Sequence, residues 1–243
     1  LPALIAARRL GIPFVYEMRG FWEVSAASVR DGWADSDQYR LDRRMEDLVA
    51  GSADRVVVIT EEMRQDLIAR GVDGDLVSVA PNCVDADTFA PLGKDTALLR
   101  SLGFSEPDLP VVGFAGSVTD YEGLDLVAEA LATLKGRGTR FNFLVMGGGA
   151  YLDRLKALVS ELGLDAETRF VSGVPNAKMP AYLSSIDVFP LARKSLPVTE
   201  LVSPLKPLEA MSVGGAVVLS DVSPHTVFCC LLYTSDAADD LLC

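Results

Sequence analysis

The sequence is poor in several residue types on which common protein functions depend. It contains one histidine, His225, so acid–base catalysis that depends on histidine is disfavoured. We interpret His225 as a loop residue. The 22 basic residues are outnumbered by 34 acidic ones. A formal charge of −12 argues against a general nucleic-acid-binding protein, because phosphate backbones are bound with surplus lysine and arginine. No run approaches the roughly 18–20 apolar residues of a membrane span.

The few cysteines form no recognisable pattern. The four of them, Cys83, Cys229, Cys230 and Cys243, show neither a CxxC pair nor any other metal-binding spacing. We therefore predict no disulfide framework and no zinc site, which fits a reducing cytoplasm.

Both ends of the sequence look truncated. Residue 1 is not methionine, and it lies within a predicted amphipathic helix that carries Leu4, Ile5 and Leu10. At the other end, the segment FCCLLYTSDAADDLLC does not continue the sequence pattern of the residues before it. It resembles a translated adapter or vector sequence. We predict that residues 228–243 are a non-native tail.

What the chain does contain is an alternation of short β-branched runs with segments of helical period. This alternation predicts an α/β protein with parallel sheets covered by helices. The predicted strands are 13–16, 55–59, 77–80, 111–115, 141–146, 169–171 and 187–191. The predicted helices include 39–50, 61–70, 151–162 and 179–184.

One segment is rich in residues that interrupt regular structure. Pro91, Gly93, Gly103, Pro107 and Pro110 fall within twenty residues, and we predict a linker over 91–110 with a short helix near 97–102. A second α/β unit is expected to begin with the strand at 111.

The most informative motif is TELVSPLKPLEAMSVGGAVVLSD, residues 199–221. It places Glu200 before a proline-punctuated turn, and Lys206 and Glu209 at the start of a predicted helix. Residues three apart share a helix face, so a cation and a carboxylate meet there. That pair suits a nucleotide-sugar, which offers a diphosphate and sugar hydroxyls. The alternative is a capped surface helix with an ordinary ion pair.

Two glycine-containing turns follow predicted strands. GFAGSVTDYEGL places Gly116 and Ser117 after one strand, where we expect backbone amides to approach a phosphate. MGGGA places Gly147 and Gly148 after the next. Either turn could be a plain strand-to-helix connection, since such motifs are weak by themselves.

Six segments of the chain together resemble the retaining glycosyltransferases of the family-4 type, which have the GT-B fold. In order, they are PFVYEMRGFWE, ADRVVVITEEMRQDLIARGV, VSVAPNCVDADTFAP, VVGFAGSVTDYEGLDLVAEAL, FLVMGGGAYLDRL and the motif at 199–221. The resemblance extends from about residue 1 to 222. It implies two incomplete Rossmann-like parallel-sheet domains: residues 1–90 on the acceptor side, the linker 91–110, and residues 111–227 binding the donor.

The resemblance also implies roles for individual residues. It gives Glu209 the ribose hydroxyls of the donor, Lys206 the diphosphate and Glu200 the sugar hydroxyls. It places the remaining donor-site residues around the same pocket: Gly116, Ser117, Gly147, Gly148 and Val174, the last in the loop that meets the nucleotide base.

The chain departs from the family pattern at the diphosphate. The family usually has an arginine and a lysine where this sequence has Ser117 and Glu122, and Glu122 is expected to repel a diphosphate. The cations are therefore expected from Arg193, Lys194 and Lys206. The family's two glutamates are separated by seven residues, whereas eight separate Glu200 from Glu209.

Residues just after the first predicted strand could shape the acceptor side. Arg19 and Trp22 are the candidates. An equal alternative is a packed aromatic loop with Phe21 or Trp22 in the core.

The resemblance implies transfer of a sugar, with retention, from a nucleoside-diphosphate-sugar to a lipid-linked or polysaccharide acceptor in surface-glycan or exopolysaccharide assembly. No metal and no cofactor besides the nucleotide-sugar co-substrate are expected. We predict a cytoplasmic protein, with attachment to the inner face of the membrane and oligomeric state left open. The alternatives are a GT-B-fold epimerase, a nicotinamide-dependent oxidoreductase, and a truncated fragment that at most binds a nucleotide.

Overall fold

A computed structural model of the protein describes residues 1–228 and divides them into two compact units. Unit 1 contains residues 1–82, 195–203 and 221–228, and unit 2 contains residues 83–194 and 204–220. The predicted non-native tail lies outside the described residues except for Phe228, which is buried in unit 1.

Unit 1 is a three-stranded parallel sheet with helices. The strands pair in the order β1-β2-β3. Thr60 starts α4 by accepting a hydrogen bond from the Met63 amide at 3.1 Å, as the sequence predicts for an N-cap. The elements are α1 (Pro2–Leu10), β1 (Val15–Met18), α2 (Trp22–Ala27), α3 (Asp37–Gly51), β2 (Arg55–Val58), α4 (Glu61–Ala69), β3 (Val77–Val79) and α9 (Pro197–Leu201).

Unit 2 is a five-stranded parallel sheet in the order β6-β5-β4-β7-β8. The two parallel sheets confirm the predicted α/β class. The elements are α5 (Thr96–Ser101), β4 (Val111–Ala115), α6 (Leu124–Gly136), β5 (Asn142–Met146), α7 (Leu152–Glu161), β6 (Thr168–Val171), α8 (Met179–Leu183), β7 (Val188–Leu191), α10 (Lys206–Ser212) and β8 (Ala216–Leu219).

The interior strand β5, which lies between β6 and β4, shows why this sheet is covered on both faces. Every residue of β5 is buried. Phe143 and Val145 pack with residues of α6 and α7, whereas Leu144 and Met146 pack with residues of α5, α8 and α10. Successive side chains of a strand point to opposite faces, so the continuous apolar run supplies two cores at once.

The breaker-rich segment 91–110 belongs to unit 2 instead of forming a linker. The Asp95 side chain caps α5 by accepting from the Leu98 amide at 2.9 Å. Lys94 Nζ lies 2.7 Å from Asp187 Oδ2. Leu99 and Phe104 are buried in one of the two cores of unit 2. These contacts fix the segment in spite of its prolines and glycines.

The predicted domain boundaries also differ from the units. Residues 195–203 and 221–227, which the sequence placed in a donor domain of 111–227, belong to unit 1. Hydrogen bonds explain the assignment of the first of these: Thr60 Oγ1 donates to Leu201 O at 2.6 Å, and Asn82 Nδ2 donates to Ser203 O at 2.9 Å.

Candidate functional site

The strand order of unit 2 marks a place where a ligand could bind. From β4 the chain continues to β5 on one side, and β7 later pairs on the other side. Connections that leave in opposite directions open a crevice at the carboxyl ends of the two strands. Gly116 follows β4, and Arg193 lies two residues beyond the end of β7.

Two adjoining cavities of unit 2 both include Gly116 and Met179 in their walls. The larger, of about 470 Å³, is also lined by Phe89, Asn176 and Glu209. The smaller, of about 350 Å³, is lined by further residues that the sequence singles out: Ser117, Gly147, Gly148 and Val174. The structure thus brings Glu209 and the donor-pocket glycines around one region of unit 2.

Gly116 and Gly147 are required because the backbone loops and one side chain pass very close to each other. Gly116 has φ +148° and Gly147 has φ +131°, values that side-chain-bearing residues rarely adopt. A Cβ at Gly147 would overlap the carbonyl oxygen of Gly116, and a Cβ at Gly116 would overlap the stem of Lys206.

The predicted use of the Gly116 amide is wrong. Its N–H donates to Met146 O at 2.9 Å and is therefore occupied. The following α-helix, α6, begins only at Leu124, so its first amides are not those of Gly116 and Ser117. Gly116 contributes the space left by its missing side chain.

That space is occupied by Lys206, which forms a buried charged cluster with Glu122 and Arg193. Lys206 Nζ lies 2.6 Å from Glu122 Oε1, and Arg193 Nε lies 4.0 Å from the same oxygen. The ammonium also lies 5.0 Å from the centre of the Phe114 ring. Burial lowers the pKa of Lys206, and the Glu122 carboxylate opposes that shift.

These contacts bear on the alternative interpretation of the 199–221 motif as a surface helix with its own ion pair. Lys206 and Glu209 both lie in α10, but the ammonium pairs with Glu122, 84 residues away in sequence. Helix α10 is therefore not merely a surface helix with an internal ion pair. The expected repulsion of a diphosphate by Glu122 stays a prediction, and in the structure this carboxylate lies beside two cations.

Glu209 has few groups to compensate its charge. It is half-buried in the wall of the larger cavity. Burial raises the pKa of its carboxyl, and Lys206 partly offsets the shift. A half-buried carboxylate at a cavity is available to accept hydrogen bonds from ligand hydroxyls.

Lys194 is placed differently from the other predicted cations. Its Nζ lies 2.7 Å from Asp125 Oδ2 and 3.0 Å from Asp120 Oδ1. It is not among the residues lining either of the two cavities. Its charge is balanced by these aspartates.

Glu200 lies in unit 1, in α9. Its Oε2 accepts a hydrogen bond from the Ser223 amide at 2.9 Å. Hydrogen bonds from Ser195 and from this amide lower the pKa of the Glu200 carboxyl. A sugar-binding role for Glu200 stays a prediction.

The predicted acceptor-side residues line a cavity of about 210 Å³ within unit 1. Arg19 Nη2 lies 3.4 Å from Asn82 Oδ1. Trp22 is 79% exposed, whereas Phe21 is fully buried beneath the Arg70 guanidinium. Of the two aromatic residues considered for the core, Phe21 is the one that occupies it.

Sequence reasoning missed two residues that line the larger cavity and the partner of Lys206. Phe89 lies in the segment VSVAPNCVDADTFAP, which the resemblance included, but nothing in the spacing distinguished its side chain. Met179 carried no signal of its own. Glu122 was noticed as a departure from the family, and only the fold reveals that Lys206 is its partner.

Two family models cover most of the described chain. The model described as "Glycosyl transferases group 1" matches residues 100–230, and that described as "Glycosyl transferase 4-like domain" matches residues 1–83. The chain belongs to the group 1 glycosyltransferases. The predicted family-4-type membership is confirmed.

Individual proteins agree with this glycosyltransferase assignment. The chain is 27% identical over 219 residues to 2-deoxystreptamine glucosyltransferase of Streptomyces kanamyceticus, covering 87% of this chain and 56% of the relative. It is 29% identical over 235 residues to D-inositol 3-phosphate glycosyltransferase of Xylanimonas cellulosilytica, covering 90% and 55%. The glycosyltransferase chain thus spans about half the length of the curated relatives it matches.

The GT-B fold of the chain is confirmed by solved structures. Anabaena HepE in complex with UDP and glucose superposes with a TM-score of 0.73 at 19% identity, covering 93% of this chain and 57% of HepE. Within residues 1–228, no helix combines the length and apolar character needed to cross a membrane. Over the same residues, no three His, Cys, Asp or Glu side chains cluster so as to hold a metal ion.

Proposed function

We propose that this chain is the core of an enzyme that transfers a sugar, with retention, from a nucleoside-diphosphate-sugar to a lipid-linked or polysaccharide acceptor in surface-glycan assembly. The observation that carries the proposal is the buried Lys206 ammonium beside Gly116, the glycine shared by two cavities, with Glu209 in the wall of one. A carboxylate in the wall of a cavity and a cation against a glycine of the same wall match a diphosphate joined to a polyhydroxylated group.

The described contacts support separate roles along the donor. Lys206 and Arg193 supply positive charge for the diphosphate. Glu209 accepts hydrogen bonds from ribose hydroxyls, and the loop containing Val174 borders the base in the smaller cavity. Glu200 is proposed to bind the sugar hydroxyls, as the family resemblance implies.

The transfer forms a bond between an acceptor hydroxyl oxygen and the anomeric carbon while the bond from that carbon to the diphosphate oxygen breaks. The cations stabilise the charge that develops on the leaving diphosphate, which is the largest electrostatic requirement of the step. The acceptor proton passes to an oxygen of the leaving phosphate. This scheme uses neither histidine nor a metal ion.

A small cyclitol acceptor is the second candidate. Two relatives are named for acceptors of that kind, 2-deoxystreptamine and D-inositol 3-phosphate. The acceptor class is tested by incubating the chain with a radiolabelled nucleotide-sugar and either cyclitols or polyprenyl-linked acceptors. Labelled product from the polyprenyl-linked acceptors alone would support the surface-glycan role. NMR of the product's anomeric configuration decides retention.

Calorimetric titration of the chain with UDP, GDP and their sugars tests the donor site. We expect saturable binding of one nucleotide, weakened at least tenfold in Glu209→Gln because a hydrogen bond to a charged group is lost, about 1.5–3 kcal/mol. Glu161→Gln, an exposed glutamate at the end of α7, is the matched control and should leave the affinity unchanged. Absence of nucleotide binding by the folded chain would refute the donor site.

A further inference from the structure

The Glu122–Lys206 pair lies next to the diphosphate position assigned above, and its geometry is unusual for a phosphate-binding lysine. The Glu122 side chain is 4% exposed and that of Lys206 is 19% exposed. Lysine has a flexible four-carbon stem, so an unrestrained ammonium has no preferred position. Here the stem crosses Gly116 and the ammonium ends against one carboxylate oxygen and the Phe114 ring.

We propose that Glu122 is a positioning residue that holds the Lys206 ammonium beside Gly116, the glycine shared by both cavities, for the donor diphosphate. This inference rests on the proposed function. A carboxylate at this place is, by simple charge counting, unfavourable for an anionic ligand. We infer that the Glu122 carboxylate has the opposite effect, because it holds the Lys206 ammonium in a place that the ammonium would otherwise leave.

The composition of the cluster supports this role. Two cations, Lys206 and Arg193, lie near the Glu122 carboxylate, at 2.6 and 4.0 Å from its Oε1. The other oxygen, Oε2, is buried and accepts no hydrogen bond from any residue in the described part of the chain. The carboxylate therefore orients the Lys206 ammonium through one oxygen only.

Removal of the carboxylate should therefore weaken diphosphate binding. A buried ammonium without its partner either turns toward water or gives up its proton, since burial disfavours the charged form. In both cases the diphosphate loses its nearest cation. If Glu122 only repelled the ligand, its removal would strengthen binding.

The test compares affinities for a nucleoside diphosphate and for its nucleoside, UDP against uridine or GDP against guanosine, by calorimetry. In Glu122→Gln, we expect the ratio of diphosphate to nucleoside affinity to fall at least tenfold. The matched control is Glu167→Gln, which removes another glutamate–lysine pair of unit 2, at 2.8 Å from Lys135, away from both cavities. This control should change the ratio less than twofold.

Other outcomes are equally informative. An unchanged or increased ratio in Glu122→Gln would overturn the positioning role while the donor site stands. If the wild-type chain binds no nucleotide, the donor site fails and the positioning role fails with it. A double variant, Glu122→Gln with Lys206→Gln, should bind the diphosphate no more weakly than Lys206→Gln alone, since the carboxylate acts through the lysine.

A measurement on the unmodified chain covers the case in which Glu122→Gln does not fold. Lysine side chains labelled with ¹⁵N at Nζ report each ammonium by NMR, and Lys206→Arg identifies the resonance. We expect this resonance to shift on addition of UDP and to remain in place on addition of uridine. Equal shifts with both ligands would contradict the proposal.

Discussion

Each unit of the molecule contains a buried cluster of charges, and the two clusters have opposite compositions. In unit 1, Arg70 is surrounded by three carboxylates: Glu23 at 3.1 Å, Asp47 at 3.3 Å and Asp66 at 2.5 Å. In unit 2, Glu122 faces Lys206 and Arg193. One cation lies among three carboxylates in the first cluster, whereas one carboxylate lies beside two cations in the second.

The surroundings of the clusters differ as well. The Arg70 guanidinium is covered by the Phe21 ring, 4.3 Å away, and Arg70 lines none of the cavities described above. Lys206 adjoins the glycine that both cavities of unit 2 share. Burial and pairing therefore do not by themselves identify a ligand site. We expect the composition of each cluster, one cation among three carboxylates or two cations beside one carboxylate, to distinguish a structural cluster from one that binds an anion.

The sharpest test of this distinction is Arg70→Met. The substitution leaves Glu23 and two aspartates without their cation inside unit 1, and breaking a buried pair in this way costs about 3–5 kcal/mol. We expect the free energy of unfolding, measured with urea, to fall by that amount. Nucleotide affinity of the folded fraction should be unchanged.

The matched control for Arg70 is Arg40→Gln, which removes an exposed ion pair with Asp37 and should cost well under about 1 kcal/mol. Loss of nucleotide binding by folded Arg70→Met would contradict the distinction between the clusters, because the cluster of unit 1 would then also contribute to ligand binding.

The next largest effect is expected from Gly116→Ala. The added methyl group forces a positive φ on alanine and displaces the stem of Lys206, at a cost of about 1–3 kcal/mol in unfolding free energy. Nucleotide affinity should fall together with stability. Gly163→Ala also places alanine at a positive φ, +67°, but with open space around it, so it should lower stability while leaving binding intact. Equal binding by both variants would argue against the position assigned to Lys206.

A smaller effect concerns pH. The pKa of Glu209 is raised by burial, so the folded protein binds the proton more tightly than the unfolded chain. The stabilisation is complete below the ordinary glutamate value of 4.5 and is lost as the pH rises through the higher folded pKa. Relative to Glu209→Gln, the ligand-free wild-type protein should therefore lose stability over this range in thermal melts. A parallel pH dependence of both proteins would contradict the assignment.

The smallest effect is predicted for Lys194→Gln. Because Asp120 and Asp125 balance the Lys194 charge, we expect nucleotide affinity to change less than twofold, with a stability loss of about 0.2–1 kcal/mol for a partly exposed pair. A tenfold loss of affinity would instead support the donor-binding role that the family resemblance suggested. Calorimetry with UDP or GDP separates the two results.

Much of the fold could be predicted because long strands and helices leave periodic signals. The strand at 111–115 and the buried positions Leu124, Val127, Ala128 and Leu131 of α6 agree with the sequence pattern. The short helices α2 and α9 escaped prediction, whereas α5 and α8, which are equally short, were predicted at 97–102 and 179–184. The prolines and glycines of residues 91–110 also suggested a linker, whereas contacts with residues distant in sequence, such as that of Lys94 with Asp187, fix this segment in unit 2.

The candidate site was predictable in its residues but not in its contacts. The motif at 199–221 indicated Lys206 and Glu209 as residues of one helix, and the structure places Glu209 in the wall of the larger cavity and Lys206 against Gly116. Spacing along a helix, however, reports only neighbours three or four positions away. The pair with Glu122 joins residues 84 positions apart, and no local rule connects them.

The division of the chain between the units has a consequence for biosynthesis. Residues 195–203 and 221–228 belong to unit 1, yet the ribosome makes them only after strands β4 to β7 of unit 2. The first part of unit 1 is therefore synthesised before unit 2, and its last part after most of unit 2. The hydrogen bonds from Thr60 to Leu201 and from Asn82 to Ser203 can form only once residues 201 and 203 have been synthesised. During translation the early part of unit 1 is an unfinished surface, and a nascent chain stalled before residue 195 should be the form that chaperones bind most.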